Sequence, residues 1–147
     1  MTKDVLVKIS GLQFAGEEDS DSIEVITSGT YYKKNGKHYV LYEEVVEGST
    51  EVMKNRIKIG EDSMEVIKKG PAAVHMIFEK DKKNVSYYYT PYGNLLIGID
   101  AKEISVEETD LDINVKVAYG LEINYEHVAD CHITVDVKSK EAKDFRL

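Results

Sequence analysis

The stretch that decides the fold of this chain is INVKVAYGLEINY, residues 113–125. Apolar side chains stand at every second position of this stretch, and the positions between them are mostly polar or small. Strict alternation is typical of a β-strand that buries one face. At about 3.3 Å per residue the run would span roughly 40 Å, several times a common strand length. Such a strand needs partners along its whole length and a place to bend, which we expect at Gly120.

Shorter alternating runs fill most of the remaining sequence, and turn-forming residues separate them. Asn35-Gly36 between two β-rich runs is a strong hairpin signal, because both central residues of a type I′ turn need a positive φ. Three further turns are predicted by glycine or proline at residues 60–63, 70–71 and 90–93. The apolar parity changes between Ile99 and Ile104, so we expect a bulge at residues 100–102.

About ten strands with short connections and no amphipathic helix predict one all-β domain over residues 1–147. Short turns join antiparallel neighbours, so the strands either close into an up-and-down barrel or split into a sandwich. We favour a single antiparallel barrel of eight to ten strands, because closure removes exposed strand edges. Residues 11–22 are expected to form a polar loop, and the charged residues from about 139 a solvated tail.

The composition limits the partners and the compartment that we expect. The formal net charge of −8 argues against nucleic acid and anionic membranes, both of which attract lysine and arginine. Cys131 is the one cysteine, so the chain has no internal disulfide and suits a reducing cytoplasm. The first residues lack the apolar core of a signal peptide, and no run approaches the roughly 18 apolar residues of a membrane span. We therefore expect a cytoplasmic protein.

Three groups of residues give the chain a family resemblance. They are Tyr39 with Tyr42-Glu43, residues 68–70 ahead of residues 76–78, and residues 90–93. Together they resemble the YwiB-like family of small bacterial proteins of unknown function, over nearly the whole chain. The resemblance implies a lipocalin-like (calycin) antiparallel barrel, and it implies no activity or ligand. An arginine is common in the family where Lys68 stands, and a lysine cannot make the bidentate anion contact of an arginine.

Parity predicts two charged side chains inside the barrel. Glu43 shares the parity of Leu41, and Lys68 shares the parity of Val66. Two inward charges are costly unless they pair or are hydrated. We therefore predict that Glu43 and Lys68 meet, or that they line a wet pocket for a polar group of a ligand. The alternative is that one of them lies at a barrel mouth and reaches solvent.

Tyrosine is the main aromatic residue, with ten copies against no tryptophan. Its flat apolar ring and polar tip suit pockets and interfaces. Tyr87 and Tyr88 are adjacent and must lie on opposite faces, so an outer aromatic face would suit a homodimer. The alternative is ordinary strand composition, since tyrosine is a good strand former. With Glu43 and Lys68, the candidate ligand-binding residues are Tyr39, Tyr89 and Tyr92.

The sequence has no motif for a known reaction. It lacks a Gly-x-Ser-x-Gly elbow, a phosphate loop and a dinucleotide fingerprint, so we predict no catalytic residue and no cofactor. His127, Cys131 and His132 lie close together in the sequence. We predict no metal site there, because His132 has the parity opposite to that of Ile133 and no second cysteine is present.

The leading hypothesis is therefore a non-enzymatic module that binds a small amphipathic or anionic molecule. The first alternative is a filled barrel that acts as a structural or self-associating module. Bulky side chains expected inside the barrel favour this alternative: Met76, Phe78, Tyr119 and Tyr125. A less favoured alternative is an enzyme that uses Glu43 as a general base.

Overall fold

The computed structural model of the chain describes residues 3–11, 24–45, 48 and 50–140. These residues form ten strands: β1 (Asp4–Ser10), β2 (Glu24–Lys34), β3 (Lys37–Val45), β4 (Val52–Ile59), β5 (Ser63–Lys69), β6 (Ala73–Glu79), β7 (Lys83–Thr90), β8 (Gly93–Glu108), β9 (Asp112–Ile123) and β10 (Glu126–Ser139). Among the described residues no helix is long and apolar enough to span a membrane. Most of the predicted loop, residues 12–22, and residues 141–147 of the predicted tail lie outside the described residues.

The strands close into one antiparallel barrel. Each strand pairs with the next along the chain, and β1 pairs with both β2 and β10. The β1–β10 register runs from Val5 opposite Ser139 to Ser10 opposite Thr134, so the closing seam is a regular ladder. The predicted barrel is confirmed, and the alternative of a sandwich is wrong. The finer likeness to lipocalins stays a prediction.

The turns follow the local signals in the sequence. Asn35 and Gly36 have φ values of 52° and 75° and join β2 to β3, as a type I′ hairpin requires. The β8–β9 register shifts between Ala101 and Glu103, which confirms the predicted bulge. The long alternating run ends earlier than predicted, because Asn124 and Tyr125 adopt positive φ and turn the chain into β10.

Apolar side chains fill the middle of the barrel. Alternate residues of β9 are buried, from Ile113 to Leu121, and they meet buried residues of the other strands. Phe78 and Tyr119 pack edge to face, with ring centroids 5.0 Å apart. Met76, Phe78 and Tyr119 lie inside as expected, whereas Tyr125 is 76% exposed in its turn. The interior is therefore a packed core, and polar inward groups lie near its two ends.

Two neighbouring strand pairs are only partly laddered. β2 and β3 pair from Thr30 opposite Leu41 to the hairpin, and the register does not continue beyond Thr30. β6 and β7 pair only at Ala73 opposite Tyr89 and at Val74 opposite Tyr88. Beyond these pairs, side chains of β7 bridge to β6: Ser86 Oγ donates to the carbonyl of His75, and Asn84 Nδ2 to that of Ile77.

Candidate functional site

Three polar side chains meet inside one mouth of the barrel, where β3 ends, β4 begins and β5 ends. Lys68 Nζ donates to Glu44 Oε1 at 2.9 Å, and Asn55 Nδ2 donates to the same oxygen at 2.9 Å. Asn55 lies directly opposite Lys68 in the β4–β5 ladder, so the two side chains share the inner face. We call Glu44, Asn55 and Lys68 the mouth cluster.

The mouth cluster is largely removed from solvent. Asn55 is 3% exposed and Lys68 is 9% exposed, while the Glu44 side chain keeps 31% of its surface accessible. A buried ammonium is tolerated only with a partner, and the Glu44 carboxylate supplies one. The Asn55 amide adds a charge-assisted hydrogen bond to that carboxylate. Asn55 Oδ1 is itself buried and has no hydrogen-bond partner within the described residues.

Tyr42 is the next inward residue along β3 from Glu44. Burial raises the pKa of its phenol, and the nearby Glu44 carboxylate raises that pKa further. The phenol therefore stays neutral at physiological pH, and it adds a polar but uncharged group close to the mouth cluster.

A cavity of about 210 Å³ adjoins the mouth cluster. Its lining residues are Glu44, Val45, Met53, Lys68, Ala72, Ala73, Val74 and Tyr88. This cavity, which we call the mouth cavity, combines one ion pair with apolar walls. Ligand pockets usually hold roughly 300–1,000 Å³, so the mouth cavity suits a very small molecule or one end of a larger one.

The predicted pairing of Glu43 with Lys68 is wrong, because the two side chains lie on opposite faces of the barrel wall. His38, Val40 and Tyr42 are the buried residues of β3, whereas Leu41 is 38% exposed. Glu43 shares the outer parity of Leu41 and is exposed. The inward carboxylate is its neighbour Glu44, which has the role that the sequence assigned to Glu43.

The other predicted ligand-binding residues lie outside the mouth cavity. Tyr39 stacks on Tyr32 on the outer face, with ring centroids 4.8 Å apart. Tyr89 is half-exposed on the outer face of β7, and Tyr92 is fully exposed in the β7–β8 turn. Of the predicted set, Lys68 alone lines the mouth cavity. A ligand-binding role for the tyrosines stays a prediction.

A second buried polar group lies toward the opposite end of the barrel, and sequence reasoning missed it. Tyr31 Oη lies 2.7 Å from His38 Nδ1, and His38 Nε2 lies 3.2 Å from Glu108 Oε1. A neutral imidazole donates from one nitrogen and accepts at the other, so a tyrosine donor and a carboxylate acceptor assign the proton to Nε2. We call these residues the Tyr31–His38–Glu108 triad.

The hydrogen bonds of the buried histidine are made within the triad. His38 is 5% exposed, and both of its ring nitrogens have partners. Burial raises the pKa of the Tyr31 phenol, and the Glu108 carboxylate raises it further. None of its members lines the mouth cavity. The signal in the sequence was the shared parity of His38 with Val40 and Tyr42, but Glu108 lies 70 residues further along the chain.

The histidines and cysteine of β10 do not converge. His127 Nε2 lies 2.9 Å from Asp130 Oδ1 on the surface, and His132 is exposed. Cys131 points into the core, and burial raises the pKa of its thiol. Within the described part of the chain, no group of three or more histidine, cysteine, aspartate or glutamate residues could hold a metal ion.

Known proteins match the chain in both sequence and structure. The uncharacterized β-barrel protein YwiB of Bacillus subtilis strain 168 is 26% identical over 124 residues, which cover 81% of this chain and 86% of that protein. The crystal structure of the ywiB protein from Bacillus subtilis matches with a TM-score of 0.72 at 21% identity, covering 92% of this chain and 89% of that one. The family described as "Domain of unknown function (DUF1934)" matches residues 7–135. The chain therefore belongs to the DUF1934 family, with YwiB-like β-barrels of unknown function as its relatives.

Proposed function

We propose that this protein is a non-enzymatic binding module that holds one small amphipathic anion in the mouth cavity. The observation that carries the proposal is the Lys68–Glu44 pair, in which the buried Lys68 and the partly buried Glu44 both line a cavity at one mouth of the barrel. A buried ion pair can often be replaced by apolar residues without loss of stability, so stability alone is a weak reason for its presence. Recognition of a polar head group is a better one.

Different residues of the mouth cavity would contact the polar and the apolar part of a ligand. The Lys68 ammonium has three donors and can donate to an anionic head group as well as to Glu44, whose carboxylate accepts from any donor on the ligand. Met53, Val74 and Tyr88 offer apolar surface to the rest of the molecule. This division favours a molecule with one polar end. The proposal includes no nucleic-acid or membrane partner, and it places the protein in the cytoplasm, as the single cysteine led us to expect.

The second candidate is a self-associating module with a filled barrel. Its support is the packed interior around Phe78 and Tyr119, together with exposed tyrosines on the outer face. An enzyme with Glu43 as a general base has less support, because that carboxylate lies on the outer face of the wall.

Native mass spectrometry of protein purified from cells separates these candidates. We expect a small anion to co-purify with wild type and with Lys68→Arg. It should be absent from Lys68→Met. Lys116→Met is the matched control, because Lys116 is an exposed lysine on the outer face of β9. A dimer with no bound molecule would favour self-association. A bound molecule that survives Lys68→Met in a folded barrel would overturn the proposed site.

A further inference from the structure

A second cavity lies on the outside of the barrel, over β5, β6 and β7. It measures about 480 Å³, and its lining residues are Ile67, Lys68, Lys69, Ala73, Val74, His75, Ser86, Tyr87 and Tyr89. It lies where β6 and β7 separate beyond Val74 and Tyr88, and where Ser86 bridges the two strands. We call it the outer groove.

The outer groove is aromatic, and its other ionisable residues are lysine and histidine. Tyr87 and Tyr89 are each about half exposed, at 52% and 51%, and their ring centroids lie 5.9 Å apart. Among the described residues no carboxylate lines it, and the lysine whose ammonium lies outside the mouth cluster is Lys69. Glu65 reaches it indirectly, as the partner of His75 at 3.3 Å. The two half-exposed rings offer a surface on which the apolar body of a ligand can pack.

The outer groove and the mouth cavity are neighbours. Lys68, Ala73 and Val74 line both cavities. The turn end of the β5–β6 hairpin therefore separates the mouth cavity from the outer groove. The mouth cavity alone is smaller than the usual ligand pocket, and the groove offers apolar surface directly beside it.

We infer that the mouth cavity and the outer groove are two halves of one site for an elongated amphipathic anion. The head group lies at Lys68, and the apolar chain passes beside Ala73 and lies on Tyr87 and Tyr89. This inference rests on the proposed function and extends it, because it gives the ligand a minimum length. A short ligand fills the mouth cavity alone, whereas a long one also covers the two tyrosines.

Calorimetric titration with straight-chain carboxylates tests the inference, using hexanoate, decanoate and tetradecanoate below their micellar concentrations. Each buried methylene strengthens binding by about fourfold. We expect the affinity of wild type to keep rising up to tetradecanoate. In the double variant Tyr87→Ser/Tyr89→Ser the tetradecanoate affinity should fall by about tenfold, while that of hexanoate changes by less than about twofold.

Two controls distinguish failure of this inference from failure of the proposed function. Tyr32→Ser removes another outer tyrosine that contacts a second tyrosine ring, but on β2, and it should leave every affinity unchanged. If Lys68→Met loses all three carboxylates and the tyrosine variant loses none, the groove is not part of the site, although the proposed function stands. Equal losses of short and long chains in the tyrosine variant would also overturn the inference. If wild type binds no carboxylate, or if Lys68→Met binds them all normally, both proposals fail.

Discussion

The two ends of the barrel hold similar polar groups, and the mouth cavity lies beside one of them. The mouth cluster and the Tyr31–His38–Glu108 triad each bring a partly exposed carboxylate to a buried side chain with a nitrogen donor. The mouth cluster adjoins a cavity and leaves Asn55 Oδ1 without a partner in the described residues. In the triad, both histidine nitrogens have partners. A buried polar group therefore does not mark a binding site on its own, whereas one that borders open space is a candidate.

The packed core lies between the two ends of the barrel. A cavity made in this core should have the largest effect on stability. Phe78 is fully buried against Tyr119, so Phe78→Ala leaves a cavity in the core. We expect the free energy of unfolding to fall by about 3–5 kcal/mol in urea denaturation. A loss below about 1 kcal/mol would show that the centre is loosely packed, and the contrast between a filled middle and an open mouth would fail.

The adjacent residues Glu43 and Glu44 of β3 provide a test variant and its control for the mouth cluster. Glu44→Ala leaves the buried Lys68 without this partner, and we expect it to lower the free energy of unfolding by about 3 kcal/mol. Glu43→Ala removes an exposed carboxylate and should change it by less than about 0.5 kcal/mol. Urea denaturation of both variants checks the assignment of the inner face. Equal losses, or a larger loss for Glu43→Ala, would contradict it.

A substitution in the Tyr31–His38–Glu108 triad should lower stability and leave ligand affinity unchanged. Tyr31→Phe removes the hydroxyl that His38 Nδ1 accepts from, and a buried acceptor loses its partner. We expect a loss of about 1–2 kcal/mol in the free energy of unfolding. Carboxylate affinity at the mouth should stay at the wild-type value in the same variant. A drop in affinity without a drop in stability would mean that the two ends are coupled.

An alkaline loss of stability is expected at both ends. The pKa values of Tyr31 and Tyr42 are raised above the ordinary 10, so above pH 10 the unfolded chain loses these protons before the folded protein does. Stability is therefore complete below pH 10 and falls as the pH rises, by at most about 1.4 kcal/mol per pH unit for the buried Tyr42. Urea midpoints between pH 9 and 11 should show this slope, and Tyr42→Phe should reduce it. A slope unchanged in that variant would rule out Tyr42 as a source.

The sequence predicted the barrel well because its strongest signals are local. The alternation in β9, the Asn35-Gly36 turn and the parity change near Ala101 each follow from a few adjacent residues. The inner face of β3 was wrongly predicted because both parities carry apolar residues there. Val40 and Tyr42 compete with Leu41 and Val45, and packing decides between them.

The polar clusters depend on residues far apart in the chain. Lys68 was identified as an inward residue, but its partner Glu44 lies 24 residues earlier. His38 and Glu108 meet only because the closed sheet brings the β3 and β8 ends together. The cavities themselves have no sequence signature, since they depend on where neighbouring strands separate. Parity identifies candidate inward charges, and the tertiary structure shows which of them border open space.

Whether this mouth of the barrel binds a ligand is tested by the affinity of decanoate for wild type and for Lys68→Met, measured by calorimetry at equal ionic strength. We expect one decanoate to bind per wild-type chain and the affinity to fall by about tenfold or more in Lys68→Met, because a charge-assisted contact is removed. Lys116→Met should bind as wild type does. Equal affinities for wild type and a folded Lys68→Met variant would contradict the claim that this mouth of the barrel is a binding site.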